Sequence, residues 1–78
     1  MNIYHLFTRN GLGSGGFSHD CAYAFVVIAA NEGDARALAE DNHGDEPEGY
    51  WLNDAFIELL GPAFSTEPRV VCRDFLAG

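Results

Sequence analysis

Apolar positions fall into runs of different period. Residues 2–9, NIYHLFTR, alternate with Ile3, His5 and Phe7 on one side and Tyr4, Leu6 and Thr8 on the other, the pattern of a strand. Residues 21–30, CAYAFVVIAA, are apolar on both sides, as in a central strand covered on both faces. Cys21, Tyr23, Phe25 and Val27 share one face of that strand and the smaller set Ala22, Ala24, Val26 and Ile28 the other. From Asn31 the period becomes helical. Ala35, Leu38 and Ala39 form an apolar stripe, with Arg36, Glu40 and Asp41 outside it. Asn31 is a good N-cap, and Asp34 at N3 approximates a capping box while placing an acid at the positive end of the helix dipole. Gly44 is the expected C-terminal stop. A helix of about three turns is marginal alone in water, so it must dock on the sheet.

The second half is less regular. Tyr50, Trp51 and Leu52 bring apolar bulk expected to cap one edge of the core. Residues 55–60, AFIELL, fit a strand or a helical turn; the strand is the preferred reading, although a short apolar run does not decide it. Gly61-Pro62 breaks that element, residues 64–68 turn the chain, and RVVCRDF, residues 69–75, forms the last strand. The order is β-β-α-β-β. Two hairpin-like pairs and one helix give an α+β two-layer sandwich, a mostly antiparallel sheet of about four strands with the helix on one face, in a single domain over residues 1–78. The small-residue face of the long strand suits the helix. Tyr23, Phe25 and Val27 are then left on the opposite face, with either Ile3 and Phe7 or Tyr4 and Leu6 beside them. Apolar area of that extent predicts a homodimer through the sheet face or an edge strand.

Charge changes the picture most. Net charge is −8, from twelve acids against four bases, all of them arginine. Glu32 to Glu58 holds nine acids and one base, Arg36, a net charge equal to that of the whole chain. Such a chain repels phosphates, so direct nucleic-acid binding is not expected, whereas basic protein surfaces are steered toward it. The start MNIYHLFTRN lacks the features of a signal peptide, and no apolar run approaches the ~20 residues of a membrane span. A cytoplasmic protein is expected, and in a reducing compartment Cys21 and Cys72 are expected as two small buried thiols rather than a disulfide.

No motif for chemistry is strong. Gly11, Gly13 and Gly16 match the G-x-G-x-x-G spacing after a strand, but the next residues are aromatic and β-branched rather than the helix start a phosphate needs. His5, His19, His43, Asp20, Cys21 and Cys72 include ligand types without the spacing of a metal site; only His19 and Cys21, two apart on a strand, face the same way. A Cys-His nucleophile needs an exposed thiolate in an electropositive setting, and Cys21 begins an apolar strand in an acidic chain. No catalytic, metal or cofactor residues are assigned, and a non-enzymatic protein is expected.

The order of features resembles that of small bacteriophage-encoded proteins. It runs from an N-terminal strand NIYHLFTRN through a glycine-containing link, a strand FVVIAA, a helix NEGDARALAE and a Trp to a C-terminal strand ending DFLAG. In length, acidity and lack of catalytic motifs the chain resembles anti-CRISPR proteins. That resemblance implies a bacterial host cytoplasm and an inhibitor of Cas proteins, most sharply a type I CRISPR effector subunit. The group has no shared site motif from which residues transfer. Charge alone selects Asp34, Glu40, Asp41, Asp45, Glu46 and Glu48 as partner-binding residues, mimicking phosphates toward a basic nucleic-acid-handling protein. The alternative is a structural or accessory phage protein that binds through its apolar sheet face, with Tyr23 and Phe25 as contacts.

Overall fold

The computed structural model of the chain describes residues 1–8, 21–44 and 46–76, with side chains described as far as Asp74. Strands β1 (Asn2–Phe7) and β2 (Cys21–Ala29) are followed by helices α1 (Glu32–Asp41) and α2 (Tyr50–Asn53), then by strands β3 (Phe56–Pro62) and β4 (Arg69–Leu76). The strands form one antiparallel sheet in the order β3-β1-β2-β4. The α+β class and the four-stranded antiparallel sheet match the expectation, and AFIELL is strand from Phe56 onward, but the strand runs through Gly61 and Pro62 instead of breaking there. Two features differ. A second helix, α2, is present, and β3 and β4 are not a hairpin pair but occupy opposite edges, β3 beside β1 and β4 beside β2. Residues 63–68 cross between those edges. At about 3.3–3.6 Å per residue they easily span three strand spacings of ~4.8 Å. The Ala63 N–H donates to the Met1 carbonyl at 2.9 Å, which holds the crossing against the start of β1.

Alternation decides the layers. Tyr4 and Leu6 of β1 are buried, and the register sets Tyr4 opposite Val27 and Leu6 opposite Phe25. The β2–β4 register slips between Ala22 and Ala24, so that Tyr23 is an extra residue and Ala22 joins Phe25, Val27 and Ala29 on one face. This face, not the small-residue face, meets the helix. The core unites Tyr4, Leu6, Ala22, Phe25, Val27 and Ala29 with Ala35 and Ala39 of α1, and with Trp51 and Ala55. Close helix–sheet packing needs small side chains on one partner only. Here α1 supplies them, and the large residues stand on the sheet. Phe25 is therefore under the helix, and Tyr23 is buried as well, so neither is a contact on an exposed sheet face.

Trp51 lies at the centre of the core rather than at its edge. It is fully buried, with its ring edge-on to Phe25 at a centroid distance of 4.8 Å. Helix α1 rests mainly on β2, flanked by β1 and β4, and leaves Leu59 of β3 exposed. It starts as expected, with the Asp34 N–H donating to Asn31 Oδ1 at 2.9 Å, but it stops at Asn42 rather than Gly44. Both cysteines are free, yet only Cys21 is buried; Cys72 is exposed on edge strand β4. They stand opposite Leu76 and Val26 respectively, too far apart along the strands to pair.

Candidate functional site

The polar residues of the acidic segment divide into an inner and an outer set. The inner set builds α2. A helix of four residues cannot sustain itself, because nucleation is unfavourable and its terminal N–H and C=O groups lack internal partners. Residues one turn apart on α1 supply those partners. Glu40 accepts from the Gly49 N–H through Oε2 at 2.8 Å and from the Trp51 N–H through Oε1 at 3.2 Å, serving as a remote N-cap. Arg36 Nη1 donates to the carbonyls of Trp51 at 3.2 Å and Ala55 at 2.9 Å, closing the other end. Each charge sits at the helix end whose partial charge it complements.

Glu46 is the third inner residue. Its carboxylate is only 3% exposed. Oε1 accepts from the backbone N–H groups of Ala22 and Gly44, both at 2.7 Å, and Oε2 accepts from the Trp51 indole Nε1–H at 2.6 Å. One carboxylate thus ties the start of β2, the loop after α1 and the core tryptophan together. Of the six acids selected from charge, Glu46 does not face solvent, and Glu40 is largely covered and occupied. Glu46 is thereby removed from the surface set selected from charge, and Glu40 is engaged in holding α2. Asp45 lies outside the described residues, as do the glycine run 10–16, His19 and Asp20.

The outer set comprises Glu32, Asp34, Asp41, Glu48, Asp54 and Glu58, all exposed. Glu32 Oε1 receives Arg36 Nε at 3.4 Å, one turn along α1. Arg36 is the segment's sole base, and its remaining contacts point inward, so among the described residues from 31 to 58 no lysine or arginine has its charge wholly on the surface. Asp41 occupies the last turn of α1, which carries no basic residue; there a carboxylate opposes the helix dipole at a cost of about 0.3–1 kcal/mol.

On the other side of the sheet His5 Nδ1 lies 2.8 Å from Glu58 Oε1, and the His5 ring stacks on Phe7 at 4.7 Å. A His-carboxylate pair by itself performs no reaction without a nucleophile or a bound substrate. Among the described residues no group of three His, Cys, Asp or Glu side chains is placed to hold a metal ion, and no helix is long and apolar enough to cross a membrane. No protein-family model, curated protein or solved structure matches the chain.

Sequence reasoning missed Arg36, Glu40 and Glu46 as structural groups. One signal was present for Glu46: a tryptophan that reaches the core needs an acceptor for its indole N–H.

Proposed function

We propose that this chain is a non-enzymatic binding protein whose acidic helical side occupies a basic, nucleic-acid-handling surface of another protein. The observation that carries the reading is the inward turn of Arg36, whose outward contact is confined to Glu32, so that Asp34, Asp41, Glu48 and Asp54 have no surface arginine or lysine among the described residues of their segment. Asp41 adds weight. It stands where it costs helix stability, an arrangement that folding alone does not favour. Carboxylates on a helix and its following loop can meet an arginine-lined groove in charge-assisted, bidentate pairs and accelerate association electrostatically. The resemblance to anti-CRISPR proteins makes a type I CRISPR effector subunit the sharpest candidate partner.

The test is DNA binding by a purified type I effector complex with and without this protein. Inhibition is expected. The triple variant Asp34→Asn, Asp41→Asn, Glu48→Gln, which spares the inner carboxylates, should slow association and flatten its dependence on salt. Inhibition undiminished in the triple variant would reject the acidic side as the binding surface, and no inhibition by the wild type would reject this partner.

A further inference from the structure

We propose that the sheet face opposite the helices is a self-association surface that seats a second copy of this chain, related by a two-fold axis. Residues directly opposite across strands share a face, so the registers place Ile3, His5 and Phe7 of β1 with Ala24, Val26 and Ile28 of β2, Phe56 and Glu58 of β3, and Cys72 of β4. Helices α1 and α2 pack on the other side. Phe56 is 43% exposed and Cys72 is exposed, Ile3, Phe7, Ala24 and Val26 are half-buried, and Ile28 at the end of the face is buried. The rings of His5, Phe7 and Phe56 form a continuous patch, with centroids 4.7 Å apart for His5–Phe7 and 5.5 Å for Phe7–Phe56.

Charge selects the occupant. Among the described residues the registers put only Glu58, Arg69 and Asp74 on this face besides His5, and these nearly balance, while the chain as a whole carries −8. No described residue of this face attracts a strongly charged partner. For a second copy the arrangement is favourable, since sheets stacked at ~10 Å direct the two acidic sides outward, beyond the ~8 Å over which salt lets them repel. Depending on the direction of the two-fold axis, Arg69 of one copy can meet either Glu58 or Asp74 of the other at the rim. Four strands of about six residues give a footprint of roughly 400 Å², and standing side chains raise the accessible area. Two such faces bury on the order of 1,000 Å², the lower limit for a specific interface, so the dimer is weak and micromolar. This inference does not depend on the acidic side having a partner.

The experiment is sedimentation velocity of the full chain from low-micromolar to sub-millimolar concentration, with thiol labelling by an aromatic disulfide reagent on the same samples. A mass rising from 8.5 kDa toward twice that value is expected. Labelling of Cys72, the exposed thiol, should slow as concentration rises, while buried Cys21 stays unreactive. Phe56→Glu and, separately, Cys72→Glu should each weaken the dimer at least about tenfold by burying an unpaired charge. Both positions are exposed on edge strands; circular dichroism checks the fold, and if one variant unfolds the other decides. A mass fixed at that of the monomer, or a dimer in which Cys72 labels equally fast at all concentrations, would overturn the proposal.

Discussion

Glutamine at position 46 keeps the shape of the side chain and turns one acceptor into a donor. If its oxygen stays with the Ala22 and Gly44 N–H groups, its amide nitrogen faces the Trp51 indole N–H, which sits 2.6 Å from Oε2 in the native protein. Two donors then meet without an acceptor. Stranding one buried donor costs about 1–3 kcal/mol, and the two surviving bonds lose charge assistance, worth roughly half their strength. Relief from burying a charge opposes this, because among the described residues no cation is paired with Glu46. The balance is a net loss of about 2–4 kcal/mol. A chain of 78 residues has a total stability of roughly 4–12 kcal/mol, so the melting temperature should fall by on the order of 10–25 °C.

Urea unfolding followed by far-UV circular dichroism measures this loss, and the single tryptophan, Trp51, gives a second signal in variants that keep it. A double-mutant cycle with Trp51→Phe isolates the carboxylate–indole pair, and a coupling of about 1–2 kcal/mol is expected. A Glu46→Gln protein within 0.5 kcal/mol of wild type, a margin usual for ~inert surface changes, would refute the reasoning. Additive effects in the cycle would do the same for the assignment of the indole bond.

The caps of α2 make two further predictions. Arg36→Met removes the donor to the Trp51 and Ala55 carbonyls and should cost about 1–2 kcal/mol, with amide exchange accelerating first around residues 50–55; uniform acceleration across the sheet would count against a local role. Gly49 has φ 83°, and an added Cβ would sit 3.3 Å from Asn53 Nδ2, so Gly49→Ala should lose about 1–2 kcal/mol in urea unfolding, chiefly from the left-handed backbone; a neutral result would show that the turn relaxes.

Much of the fold was legible, and the failures share a cause. The period-2 run in β1, the doubly apolar β2 and the Asn31 cap are local signals, and they named the right elements. Alternation groups residues by face without saying which face the helix takes, and the extra residue at Tyr23 breaks the alternation itself. That is why Phe25 and Val27 were assigned to the wrong side of the sheet. Helix α2 left no periodic trace because it is a single turn, started by a glycine at φ 83° and capped by side chains about ten to twenty positions away.

Net charge was equally legible, but its destination was not. A carboxylate between Asp45 and Pro47 reads as solvated loop until Trp51 is placed, because only the packed indole and two converging backbone N–H groups make burial of Glu46 favourable. The same logic orders the outer acids. With α2 held by Arg36 and Glu40 and the preceding loop held by Glu46, Glu48 and Asp54 flank an anchored turn, so recognition through them need not meet the entropy of ordering a free loop. Cutting one inner contact should therefore weaken binding by the outer set even at full surface charge. Glu40→Gln offers that comparison, since it leaves every exposed acid in place while weakening the cap on Gly49 and Trp51.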